Sequence, residues 1–236
     1  MKFFEGGESR WISMDKSLAA PYFFTTFKCA GSKGVKAAIC GLGYYELYVN
    51  GSKVGTRELA PTVTVYDRRV RYTVLDISKH LVEGENAVGV VLGAGWYYHV
   101  AKDVWNFENA SWRHWPKKIM EVRDADGVLL LASDRSWFGS VDGPITFMQF
   151  RNGENYDARK EFDGWATVGF KPDARWRNVG LYASPGGMME EEKAAPCRVV
   201  KTFRVASKPT PFGVYDIGTN ISGRCRITVT SNTPGV

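Results

Sequence analysis

The stretch GLGYYELYVNG, Gly41 to Gly51, decides how the rest of the chain is read. Asn50-Gly51 is the strongest short-range hairpin signal, because a type I′ turn needs φ > 0 at both central residues. Ahead of the turn, Tyr45, Leu47 and Val49 alternate with Tyr44, Glu46 and Tyr48. That is the period of a strand with one face more polar than the other. Ser52-Lys53-Val54-Gly55 can return as its partner. Gly41 and Gly43 permit a bend or bulge between strands. The tyrosines are expected to cover both faces of a sandwich, with hydroxyls reaching water or a neighbouring domain. A sugar-stacking platform is the competing reading of the same side chains.

Outward from this hairpin the pattern stays β. Pro21–Cys29, Val35–Leu42 and Arg69–Leu75 read as strands, and the nearly continuous apolar run Ala87–Leu92 reads as a central one. Asp76–Val82 looks like one helical turn, with Glu83–Asn86 as the turn after it. Lys118–Arg123 leads into a turn at Asp124–Gly127, from which Val128–Ala132 returns, and Asp134–Trp137 bends into Phe138–Val141. No segment carries a sustained helical period. Short strands separated by Gly, Asn and Asp turns predict an all-β chain, a sandwich or jelly roll.

SPGGMMEEEKAAPC, Ser184 to Cys197, combines Pro, Gly and an acidic run and reads as a linker or exposed connection. Beyond it, Arg198–Val205, Val214–Ile217 and Arg224–Thr230 read as three strands, too few for a complete domain. The expected division is a sandwich over residues 1–190, then a linker and the start of a second β-sandwich domain over 191–236. With SNTPGV at its end, the chain reads as part of a longer protein.

The composition narrows the function. The chain has 236 residues, 44% of them hydrophobic and 14% aromatic, and a net charge of +6. Its Lys and Arg are scattered with no basic block, which excludes nucleic acid as the expected partner. No apolar run approaches membrane-helix length, and residues 1–16 do not look like a signal peptide; the compartment stays open. The four cysteines, Cys29, Cys40, Cys197 and Cys225, lack CxxC spacing and a nearby His pair, so zinc is not expected. Cys29 and Cys40 can face each other across neighbouring strands, but four buried free thiols are the favoured reading.

No nucleophile elbow, HExxH, Walker loop or dinucleotide fingerprint is present, and nothing pairs the acids as a glycosidase requires. No catalytic residue is assigned. The richest stretch is LGAGWYYHVAKDVWNFENASWRHWPKK, Leu92 to Lys118, which reads as a long loop. Long loops in compact domains are often functional. Sugar rings stack on indoles while polar groups hold their hydroxyls, so Asp103, Trp105, Asn106, Trp112 and Arg113 are the candidate carbohydrate contacts. Packing of these tryptophans over a sandwich edge or another domain is the favoured alternative. In NGENYDAR, Asn152 to Arg159, either Glu154 or Asp157 acts as an acid, or Arg159 forms a bidentate pair that orders a corner or docks a neighbour. The second of these is favoured. YDIGTNISGR, Tyr215 to Arg224, is a third loop of this kind, with Asn220 supplying a turn conformation.

In series, GLGYYELYVNG, Val54-Gly55, LAPTVTVYDRRVRYTVLDIS (Leu59–Ser78), GENAVGVVLGAGWY (Gly84–Tyr97), GENYDAR (Gly153–Arg159) and YDIGTNISG (Tyr215–Gly223) resemble the N-terminal part of bacterial α-L-rhamnosidases. The resemblance runs from about Trp11 to the end. It implies a jelly-roll-like, galactose-binding-like sandwich. It also implies a parent that is an inverting glycoside hydrolase, with its catalytic acids in a C-terminal (α/α)6 barrel outside these residues. On that basis the chain is a noncatalytic scaffold for its own barrel, which acts on rhamnosylated glycans or glycosides. The alternative is a rhamnose-recognising lectin-like module. Some members bind rhamnose with the help of calcium; the sequence locates no ligands for that ion here, and Gly41–Tyr44 contains no Asp or Asn.

Overall fold

The Asn50-Gly51 turn adopts the left-handed backbone that a type I′ hairpin needs, with φ of 48° and 80°. Asn50 does more than turn the chain. Its Nδ2 donates to His80 O at 2.9 Å and Asn86 Oδ1 at 2.8 Å, and its Oδ1 accepts from Ala87 N at 2.9 Å. Asn86, fully buried, in turn donates to Val82 O and Gly84 O. These bonds satisfy polar groups that burial would otherwise leave unpaired, each at a cost of about 1–3 kcal/mol.

The computed structural model describes residues 1–205, 209–228 and 230, and the chain divides into two units, Met1–Cys197 and Arg198–Val236. The first unit holds fifteen strands. In chain order they are β1 (Trp11–Ser13), β2 (Tyr22–Cys29), β3 (Lys36–Leu42), β4 (Tyr44–Val49), β5 (Ser52–Lys53), β6 (Arg69–Asp76), β7 (Gly84–Gly93) and β8 (Lys117–Arg123). Then come β9 (Leu129–Ala132), β10 (Phe138–Ser140), β11 (Ile145–Gln149), β12 (Gly153–Tyr156), β13 (Arg177–Asn178), β14 (Gly180–Tyr182) and β15 (Met188–Glu191). Short 3-10 turns at Ser78–His80, Phe107–Asn109 and Ala158–Lys160 are the helical elements among the described residues, and no helix there is long and apolar enough to cross a membrane.

One sheet has the order β14-β1-β8-β3-β6-β15, with β9 also on β8; the other has the order β13-β10-β2-β7-β4-β5. β11 and β12 form a separate hairpin. The two larger sheets enclose a core of Ile12, Phe23, Ile39, Leu47, Val90, Met120 and Trp137, all at most 1% exposed. Strand alternation sends the neighbouring residues the other way, and those are buried too. Tyr22 and Phe24 lie outside the six-stranded sheet with Phe162 and Trp176, while Trp11, Cys40 and Ile119 lie outside the other with Tyr66 and Tyr97. Burial on both faces explains why β7 reads as a nearly continuous apolar run.

Several expectations need correction. Gly43 marks a bend but no bulge: it is the single residue between β3 in one sheet and β4 in the other. Tyr45 reaches neither water nor a neighbour. It is buried in the core, and its hydroxyl bonds Thr73 Oγ1. Tyr44 and Tyr48 are half-buried on the outer face of their sheet. Cys29 and Cys40 lie buried in different sheets as free thiols, while Cys197 and Cys225 are exposed, so the four thiols are not all buried. The Ser184–Cys197 stretch is not simply a linker, because β15 within it runs parallel to β6 and passes through residue 190.

In the second unit, none of the described residues forms a strand. The three stretches expected to do so show no strand pairing among the described residues, and Val229 of the third lies outside them. Thr210–Gly213 makes a turn, with Gly213 N donating to Thr210 O at 2.9 Å. SNTPGV lies outside the described residues.

Candidate functional site

The aromatic loop leaves β7 at Gly93 and returns at β8. One side chain ties it to a strand, and one pair braces it from within. Gln149, at the end of β11, accepts from Val100 N at 3.0 Å and donates to Tyr98 O at 3.1 Å. His99 is fully buried, with Nε2 3.1 Å from Asp103 Oδ2. Asp103 Oδ1 accepts from Trp105 N at 2.8 Å, which fixes the bend at the loop tip.

The candidate contacts divide into inward and outward groups. Asp103 is inward, its side chain 5% exposed. Trp112 is tucked behind the loop, 4.9 Å from the Tyr66 ring and stacked at 6.2 Å and 14° over Tyr97. Arg113 turns back on the chain, with Nε donating to His99 O at 2.6 Å and its guanidinium 5.7 Å from the Tyr98 ring centre. Trp105 and Asn106 face outward. Trp105 is 57% exposed, and Asn106 takes a left-handed φ of 54° at the start of the Phe107–Asn109 turn.

The sequence reading missed the groups behind Trp105. Arg151, in the β11–β12 turn, lays its guanidinium 4.5 Å from the Trp105 ring centre and 5.7 Å from that of Trp96. Phe150 packs 4.4 Å from Trp96, which also meets Trp105 edge-on at 5.9 Å. Arg151 therefore covers one face of the Trp105 indole. In front, Val104 at 83%, Trp105 at 57% and Phe150 at 45% exposure form an apolar tip beside Trp96. Only the sequence nearness of Phe150 and Arg151 to the NGENYDAR motif hinted at their involvement.

Glu154 lies on exposed β12, and Asn220 is exposed in the second unit. Asp157 accepts from Arg159 Nε and Nη2, both at 2.8 Å, and from its backbone N at 3.1 Å. The pair is bidentate but faces solvent, with the Arg159 side chain 89% exposed. The hydrogen bonds from Arg159 lower the Asp157 carboxyl to about 2. Any favourable contribution from this pair is present above the ordinary aspartate range of about 3.9 and is lost as pH falls through about 2. Arg159→Ala is expected to return Asp157 to that ordinary range, as followed by carboxyl carbon chemical shifts against pH. An unshifted titration in the variant would contradict the pairing.

Among the described residues, no three His, Cys, Asp or Glu side chains gather to hold a metal ion.

The match to a family model covers residues 32–201, and the model describes the alpha-L-rhamnosidase N-terminal domain. An alpha-L-rhamnosidase of Formosa agariphila is 30% identical over 211 residues, which is 81% of this chain and 21% of that protein. The chain thus spans about a fifth of the length of the curated relatives it matches. Among solved structures, the alpha-L-rhamnosidase from Dictyoglumus thermophilum superposes with a TM-score of 0.74 at 34% identity, covering 88% of this chain and 25% of that one. The Streptomyces avermitilis alpha-L-rhamnosidase complexed with L-rhamnose gives a TM-score of 0.73 at 30% identity, over 86% of this chain and 20% of its own. With its two-sheet sandwich and these matches, the chain belongs to the alpha-L-rhamnosidase N-terminal domain family.

Proposed function

We propose that this chain is the noncatalytic N-terminal region of an α-L-rhamnosidase, with the Val104–Trp105–Phe150 tip docking against the parent's catalytic barrel. The parent hydrolyses terminal α-L-rhamnosyl residues of glycans or glycosides. Its general acid and base, and the water they activate, lie in the barrel. The apolar tip carries this reading. Exposed apolar groups rimmed by polar ones mark surfaces that partners cover. Trp96 and Arg151 hold Trp105 from behind, and Phe150 packs on Trp96 beside it.

A second reading, a carbohydrate-binding module, is favoured by Trp105 and Asn106 standing side by side and exposed. A sugar ring would stack on the indole face that Arg151 leaves open. The Streptomyces avermitilis relative, solved with L-rhamnose, supports a sugar as its ligand. Hydrogen exchange separates the two readings. Docking predicts that amides of residues 100–107 and 148–151 are more protected in the full-length parent than in this chain. Equal exchange in both, with protection appearing only on addition of L-rhamnose, would contradict docking and favour the lectin.

A further inference from the structure

The dipeptide Asn-Gly occurs twice, at Asn50-Gly51 and at Asn152-Gly153. This pair of neighbours is prone to react with itself. The glycine backbone nitrogen can attack the asparagine side-chain carbonyl carbon, because glycine has no Cβ to obstruct the approach. The fold treats the two copies in opposite ways.

At the first copy both reacting groups are held. The Asn50 side chain commits its Nδ2 to His80 O and Asn86 Oδ1, and its Oδ1 to Ala87 N. Gly51 N, the group that would attack, donates to Ala166 O at 2.7 Å. Bringing Gly51 N onto Asn50 Cγ would disrupt these bonds. At the second copy nothing comparable restrains the pair. Asn152 and Gly153 are exposed where β11 turns into β12. Among the described residues no hydrogen bond holds the Asn152 side chain. A Cβ built on Gly153 would meet nothing within 4 Å, so a ring formed there has room. The register partner of Gly153 is Gln149, on the last rung of a separate hairpin of two strands. Such an end rung opens far more readily than the core does.

We propose that Asn152 is a site of spontaneous deamidation, and that the fold shields Asn50 from the same reaction. Gly153 N loses its proton to solvent and bonds to Asn152 Cγ. The Cγ–Nδ2 bond breaks, and Nδ2 takes up a proton from water and leaves as ammonia, closing a cyclic succinimide. Water then opens the ring at either carbonyl. Opening at Cγ gives aspartate. Opening at the backbone carbonyl gives isoaspartate, whose main chain runs through Cβ and Cγ. Either product places a carboxylate next in sequence to Arg151, whose guanidinium lies 4.5 Å from the Trp105 ring centre. A charge-assisted partner for Arg151 competes with the indole, and isoaspartate also lengthens the turn that carries Phe150. The reaction thus acts on the apolar tip, but its occurrence does not depend on what the tip docks against.

The test is peptide mapping by mass spectrometry after the 236-residue chain has been held in mildly alkaline buffer at a temperature where it stays folded. The amide-to-acid mass change, split into aspartate and isoaspartate peaks, is expected at residue 152 at a rate about tenfold or more above that at residue 50. In concentrated urea the two rates are expected to converge, because the bonds that hold Asn50 and Gly51 N are gone. Asn152→Asp reproduces one product and is expected to shift tryptophan emission, with no shift in a Trp105→Phe background. Equal rates at the two sites in the folded chain would overturn the proposal. So would reaction of Asn152 only in urea, or a rate difference that persists there and so traces to sequence neighbours rather than to the fold. An unchanged emission spectrum in Asn152→Asp would overturn the link to the tip.

Discussion

Gly43→Ala is expected to destabilise the sandwich by about 3 kcal/mol or more, enough to consume much of a typical domain's stability. Gly43 is where the chain crosses from β3 in one sheet to β4 in the other. A Cβ built there would stand 2.2 Å from Ala94 O, 2.7 Å from Ala94 C and 2.8 Å from Gly95 Cα. These are backbone atoms, so no rotamer change relieves the clash. Either the crossing or the exit of β7 must move, and β7 is a central strand. Gly51 offers a contrast: an added Cβ there meets only the Thr167 Cγ2 methyl, at 2.9 Å, so its constraint is mainly its φ of 80°. Urea unfolding of Gly43→Ala checks the prediction, and a loss under about 1 kcal/mol would show that the crossing is looser than the geometry implies.

Lys118→Met is expected to stabilise the chain by about 1–4 kcal/mol at neutral pH. Lys118 is fully buried on β8. Its ammonium nitrogen lies 3.2 Å from the centre of the Trp137 ring and 5.4 Å from that of Phe23, and has no hydrogen-bond partner. A cation–π contact returns about 2 kcal/mol when desolvated, less than the several kcal/mol that burial of an ammonium costs. Burial therefore pushes the Lys118 pKa well below its ordinary value.

The sign of the pH dependence follows from that shift. Above the unfolded value of about 10.4, neither state holds the proton and the penalty is absent. As pH falls below it, the unfolded chain binds a proton that the fold resists, and stability declines until the lowered folded pKa is reached. Native stability should thus gain more between about pH 7 and about pH 9 than that of Lys118→Met. Denaturant melts of both proteins at the two pH values provide the check. Equal pH slopes, or a less stable methionine variant, would contradict the account.

What the sequence revealed, and what it hid, follows from the range of each interaction. Asn50-Gly51 was legible because a type I′ turn is decided by two adjacent residues. β2, β3, β4, β6, β7 and β8 were legible because each is long enough to show a period or an apolar run. β1, β13 and β14 span only two or three residues, too few to display alternation. β15 hid inside an acidic, glycine-rich stretch, because its pairing with β6 is set by a partner more than a hundred residues earlier. The tight crossing at Gly43 was likewise invisible, since the atoms it would strike belong to Ala94 and Gly95.

The candidate site divides in the same way. The aromatic loop stood out by composition, but its sequence could not sort Trp105 from Trp112. That choice depends on Tyr66 and Tyr97 covering one indole and Arg151 backing the other.

The central claim is that these residues support rhamnoside hydrolysis without performing it. The most direct test is release of the chromophore from an aryl α-L-rhamnoside by the purified 236-residue chain. The account predicts no release above the buffer rate, at any pH at which the chain stays folded. Turnover that scales with chain concentration and disappears on replacement of Glu154 or Asp157 would contradict it, placing the catalytic acid in this domain after all.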